Sequence, residues 1–190
     1  MIRAFSLLCK LNSLKLSDKQ LFLTCLDTIN IHNQTCPYCK STGPHDSFTC
    51  YQRGLITFAS GERKNLVVSV PRVKCTCGHT HAVLPDILIP YGSYSLRFVL
   101  TVLSRYLIRS CTVAQLCDKF QISTSTLYNW IHLFIEHYNL LIGAIDSLNS
   151  LTPESISYIN ELTAVASSFY QTFRHSFLQP HHYTTDSHPG

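Results

Sequence analysis

This chain of 190 residues has no apolar run long enough to cross a bilayer. Its most apolar stretch, Leu96 to Ile108, is interrupted by Arg97 and Arg105, and a span takes ~20 apolar residues. A transmembrane protein is therefore not expected, and no membrane partner is assigned. The opening MIRAFSLLCK has a short apolar stretch and lacks a small-residue cleavage site, so no secretory signal is read there. Nine cysteines without such a signal suggest a reducing compartment and a cytoplasmic protein. Basic residues are missing from a whole region: Gln121 to Phe173 contains no Lys or Arg and four acids, Glu136, Asp146, Glu154 and Glu161. Met1 to Lys119 carries 14 basic and 6 acidic side chains. A net charge of +4 mildly favours an anionic partner, and the distribution puts any basic binding surface in the first two thirds. With 45% apolar residues the chain can bury one substantial core or two small ones, which excludes a disordered protein.

The texture changes along the chain. Residues 1–33 read as an apolar lead-in, Ile2 to Leu8, and a short helix from Ser17 with Leu21, Phe22, Cys25 and Leu26 on one face. Residues 34–90 hold paired cysteines and two runs of strand formers, Phe48 to Phe58 and Leu66 to Val73, around the turn Ser60-Gly61-Glu62. Pro85 and Pro90-Tyr91-Gly92 then interrupt regular structure. Residues 91–148 are helical in pattern, and residues 149–178 form a further helix after the start sequence Thr152-Pro153-Glu154, with Ile159, Leu162, Ala166, Phe169 and Phe173 on one face. The polar tail 179–190 reads as disordered. The expected fold class is α+β: a small β zinc ribbon followed by an all-α helix-turn-helix domain with additional C-terminal helices.

Two motifs carry chemistry. Cys36-Pro37-Tyr38-Cys39 sets two thiolates around one turn, and Cys75-Thr76-Cys77 supplies a second pair after a hairpin-length separation. One turn presents at most two thiolates to an ion, so a four-coordinate site needs two such turns brought together. The second pair is C-x-C, which crowds its ligands, and His79 or His81 could replace one of them. Zinc is the expected ion, because sulfur-rich tetrahedral sites select it. With four protein ligands the metal would be structural. Cys9, Cys25, Cys50, Cys111 and Cys117 read as small core hydrophobes.

The second motif is TVAQLCDKFQISTSTLYNWI, Thr112 to Ile131. It reads as two helices joined by a tight turn, with Val113, Leu116, Cys117 and Phe120 inward on the first, Ile122 plugging the turn and Ser123 capping the second. Gly is commoner where Gln121 stands. At about 100° per residue, Ser125, Tyr128, Asn129 and His132 fall in one arc opposite Leu127, Ile131 and Phe134, with Thr124 at its edge. In a DNA-reading arrangement such a helix enters the major groove of double-stranded DNA, where Asn pairs bidentately with adenine. Phosphate contacts would come from Arg105, Arg109 and Lys119, and from Arg53, Arg63, Lys64, Arg72 and Lys74 in the β unit.

CPYC, VPRVKCTCGHTHAVLP and STSTLYNW together resemble a bacterial family of unknown function associated with transposable elements, in which a zinc ribbon precedes a transposase- or resolvase-like helix-turn-helix. The likeness covers roughly Cys36 to Leu141. It implies zinc and DNA binding and carries metal roles onto Cys36, Cys39, Cys75 and Cys77, while assigning none to Thr80, His81 or Ala82. Related transposases continue into a nuclease domain with three carboxylates. Here 42 residues follow Leu148, and Glu154, Glu161 and Asp186 form no plausible two-metal site. The expectation is therefore a DNA-binding accessory or end-binding module, not an enzyme, acting as a possible homodimer with a separate transposase catalytic subunit. The competing expectation is a zinc-stabilised protein-interaction module or transcriptional regulator.

Overall fold

The structure, a computed structural model, describes residues 1–4, 16–85, 87–145, 168–169, 173 and 177–179. Its elements run β1 (Ile2–Ala4), α1 (Asp18–Thr28), β2 (Asp46–Ala59), β3 (Glu62–Lys74), β4 (Thr80–Pro85), α2 (Leu96–Leu107), α3 (Val113–Phe120) and α4 (Thr124–Ile145). β2, β3 and β4 are antiparallel neighbours, and β1 adds a short parallel strand beside β4, giving the order β1-β4-β3-β2. The β2–β3 hairpin turns at Ser60 and Gly61, both at positive φ. A bulge between Phe48 and Tyr51 shifts its register.

Strand β2 decides the architecture. Leu55 is buried with Val68 and Val70 against Leu21, Phe22 and Cys25 of α1. The alternate residues Ile56 and Phe58 pack against a second cluster of Phe98, Val102, Leu116, Phe120 and Leu127 from α2, α3 and α4. Successive strand side chains point to opposite faces, so a segment apolar on both needs a layer on each side. α1, which precedes β2, supplies one layer, and the helices after β4 supply the other. This corrects the expected fold class. The expected separation into a small β zinc ribbon followed by an all-α helix-turn-helix domain does not hold: among the described residues the chain forms an α+β mix of a three-stranded antiparallel sheet, extended by β1, with four helices packed around it. The physical reason is that Ile56 and Phe58, on the face of β2 opposite Leu55, are covered by helices that come later in the chain and so cannot stand apart from them.

A buried polar joint ties these layers. Asp18, 2% exposed at the start of α1, pairs with Arg97 Nε of α2 at 2.7 Å and accepts hydrogen bonds from Thr57 of β2 and, at 2.5 Å, from Ser95. Ser17 caps α1 in a reciprocal box with Gln20, and Thr112 does the same for α3 with Gln115. On the far side of α2, Val99, Leu100 and Leu103 share a cluster with Phe134 and Tyr138 of α4 and with Phe169, Phe177 and Leu178, and Phe173 packs against it. Part of the apolar face expected after Thr152 thus lies on α4, while Ile159, Leu162 and Ala166 lie outside the described residues. No helix among the described residues is long and apolar enough to cross a membrane.

Candidate metal centre and the exposed face of α4

The two cysteine pairs meet at the end of the sheet remote from the β2–β3 turn. Cys36 to Cys39 form a turn before β2, closed by Lys40 N–H donating to the Cys36 carbonyl at 3.0 Å and Cys36 N–H to the Ser41 carbonyl at 2.8 Å. Cys75 to His79 form the turn between β3 and β4, with Cys75 N–H donating to the His79 carbonyl at 2.9 Å and Gly78 N–H to the Cys75 carbonyl at 2.8 Å. Gly78 sits at φ +89, where a side chain would strain the backbone. Because Cys75 and Cys77 stand on this turn and not in extended strand, the C-x-C spacing brings both sulfurs to the other pair.

All four sulfurs lie within 4.8 Å of one another. Cys36 and Cys77 Sγ are 3.9 Å apart, and Cys39 and Cys75 Sγ 3.5 Å. A tetrahedron with metal–sulfur bonds of about 2.3 Å has edges of about 3.8 Å, so the cluster has the size of a four-thiolate metal site. Cys36 and Cys75 are buried, while Cys39 and Cys77 are exposed. The sequence left open whether His79 or His81 replaces a cysteine; the four sulfurs converge without either.

Proton sharing makes the thiols unequal. A hydrogen bond from the Ser41 hydroxyl, helped by the Cys77 backbone, holds Cys75 down to about 5. The same hydroxyl and the Ser41 backbone lower Cys39. At Cys77 the His79 backbone also lowers the pKa, but desolvation and the neighbouring sulfurs outweigh it and push the thiol up to about 12. A divalent ion that replaced the shared protons would relieve this competition, as metal ligation requires deprotonated thiols. Burial lowers His81, which keeps its imidazole neutral.

The α3–α4 pair forms the other surface of interest. Gln121 takes the left-handed conformation, φ 49 and ψ 51, which lets the chain reverse, and Ile122 closes the turn with 8% exposure. Ser123 Oγ accepts from Thr126 N–H at 3.1 Å, capping α4. Leu127 and Phe134 are buried. Thr124, Ser125, Tyr128, Asn129 and His132 are exposed. Arg109 and Lys119 are exposed, and Arg105 is half-buried with its guanidinium over the Phe120 ring.

Three expected phosphate ligands have other partners. Arg53 donates to the carbonyls of Ile89 and Gly92, Arg63 donates to the Gln121 carbonyl and lies over Tyr94, and Arg72 donates to Thr80 Oγ1 and lies over Phe48. Lys64 and Lys74 remain exposed. Sequence reasoning missed Ser41, which touches Cys39 and Cys75. Its position two residues after Cys39 was the available signal.

Fold and site define an α+β protein with a four-cysteine cluster able to hold a metal ion. The chain belongs to the family described as Domain of unknown function (DUF6431), whose model matches residues 36–130. No curated protein and no solved structure matches it. The matched segment contains the four cysteines and ends at Trp130 in α4, so the family spans the cluster and the start of that helix.

Proposed function

We propose that this protein is a zinc-stabilised, sequence-specific binder of double-stranded DNA that works by recognition, as a transposase-like accessory or end-binding module alongside a separate catalytic subunit. The observation that carries the reading is the exposed arc of Ser125, Tyr128, Asn129 and His132 on a capped helix whose opposite side is buried. That helix would lie in the major groove with Asn129 on a base edge and Thr124 at the groove margin. Arg109 and Lys119 would hold phosphates beside it, with a lesser part for Arg105, whose charge already rests on Phe120. Zinc is the ion of choice for four thiolates, and a closed site stabilises fold without activating water.

Two copies on two half-sites belong to the same reading, since such helix pairs act in dimers whose symmetry matches the site. Ile135 and Leu140, 51% and 44% exposed on the later turns of α4, are apolar surface suited to a second chain. The test is selection of bound duplexes from a random pool with the zinc-loaded protein, followed by binding at rising salt. A recovered consensus and a steep loss of affinity with salt are expected. Failure to enrich any sequence, with binding indifferent to salt, overturns the reading in favour of a protein-interaction module.

A further inference from the structure

The four sulfurs have a set of side-chain partners that neither motif spacing nor the DNA-binding reading uses. His81, 6% exposed on β4, brings its Nε2 to 3.2 Å from Cys36 Sγ. His79 brings its Nδ1 to 3.5 Å from Cys77 Sγ. Ser41 Oγ is 3.0 Å from Cys39 Sγ and 3.5 Å from Cys75 Sγ. Every sulfur therefore has a neighbouring N–H or O–H group, and the three side chains come from both cysteine turns and from β4.

Four thiolates around a divalent ion carry a net charge of −2. Thiolates only accept hydrogen bonds once the metal has replaced their protons, so each partner must then present its hydrogen to sulfur. Hydrogen-bond donors behind metal ligands orient them and tune their basicity. Ser41 has one hydrogen for two sulfurs, and Cys39 is the nearer. His79 is held in place by stacking on Tyr38, with ring centroids 3.8 Å apart, and its ring lies nearly parallel to that of His81, 11° between planes. Tyr38 itself is 69% exposed, so this column runs from solvent to the buried Cys36.

We propose that His81, His79 and Ser41 are the hydrogen-bond donors to a metal-bound four-cysteine centre, with His81 Nε2–H on Cys36 the principal one, and that neither histidine is a ligand. The inference rests on the metal reading above and deepens it. It assigns the tautomers, Nε2–H on His81 and Nδ1–H on His79, and it explains how a centre with two exposed sulfurs keeps its charge dispersed.

The test uses the full chain loaded with cobalt(II), whose visible and sulfur-to-metal bands report the number of thiolates, and then with zinc in competition against a chelator. His81→Ala is expected to lower zinc affinity by about 10- to 100-fold while the four-thiolate cobalt spectrum persists. His81→Gln, which restores an N–H donor, is expected to recover part of the loss. Because His81 is buried, Ser41→Ala and His79→Ala serve as exposed controls, each expected to weaken zinc binding several-fold with the spectrum unchanged. A cobalt spectrum that shifts to three thiolates in the wild type, or changes its ligand set in His81→Ala, makes the histidine a ligand and overturns the proposal. Unchanged zinc affinity in all three alanine variants overturns it while leaving the metal centre intact. A wild-type chain that binds neither metal overturns the centre and the donors together.

Discussion

The cysteine centre and the exposed arc of α4 stand at opposite levels of constraint. At the centre, four sulfurs from two turns converge within 4.8 Å, and each has a polar side chain beside it. On α4, five polar side chains share exposure and little else among the described residues. A convergent set of soft ligands points to a particular chemistry, since four thiols at that distance have the size of a tetrahedral metal site. An exposed arc names only a direction from which a partner can approach. The buried joint of Asp18, Thr57, Ser95 and Arg97 ties α1 and β2 to the start of α2.

The strongest way to sharpen that contrast is to remove a ligand. Cys75→Ser or Cys36→Ser should abolish zinc binding, reduce the mass of the native ion by one zinc, and unfold the turns before β2 and between β3 and β4. Apparent binding energies of structural zinc reach about 10–16 kcal/mol in small domains, so loss of the metal should be visible as a large drop in melting temperature. A folded, metal-free wild type with the same melting temperature would break the distinction, because the cluster would then be ordinary packing.

Next in size is the joint. Asp18→Ala leaves Arg97 without its carboxylate and two hydroxyls without an acceptor in a buried setting. Breaking such a buried pair costs about 3–5 kcal/mol. Urea unfolding should show a lower midpoint, and two separate transitions in the variant would mean that the sheet and the helices were held together chiefly here.

A smaller effect belongs to the arc. Asn129→Ala is expected to cost about 1–3 kcal/mol at the selected DNA site and little on random duplexes. Arg109→Gln should weaken all duplexes alike and flatten the dependence of log affinity on log salt by about one unit. Equal losses on both DNAs for Asn129→Ala would transfer base reading from α4 to another surface.

The smallest change concerns the turn that aims α4. Gln121 holds a left-handed backbone at φ 49, a conformation that costs a non-glycine residue about 1–2 kcal/mol. Gln121→Gly should relieve part of this, and the Arg63 hydrogen bond to the residue 121 carbonyl can persist because it uses backbone. A rise of about 1 kcal/mol in unfolding free energy, read from the urea midpoint, is expected. A loss instead would mean that the Gln121 side chain holds α4 in place.

What the sequence by itself determined is local. The two cysteine pairs, the hairpin turn at Ser60-Gly61, the caps at Ser17, Thr112 and Ser123, and the inward spacing of Leu116, Phe120, Leu127 and Phe134 all follow from neighbours a few residues apart. Cysteine chemistry and helical periodicity need no knowledge of the rest of the chain. Only tertiary structure decided that Ile56 and Phe58 would be covered by helices, because which element shields a strand's second face depends on packing between segments far apart in sequence. It likewise decided that Arg53, Arg63 and Arg72 would turn to carbonyls, a hydroxyl and rings within the protein. A long cationic side chain reads the same in sequence whether its guanidinium faces solvent or a backbone oxygen 36 or 58 residues away. Charge is written in composition, but where it is left available is set by the fold.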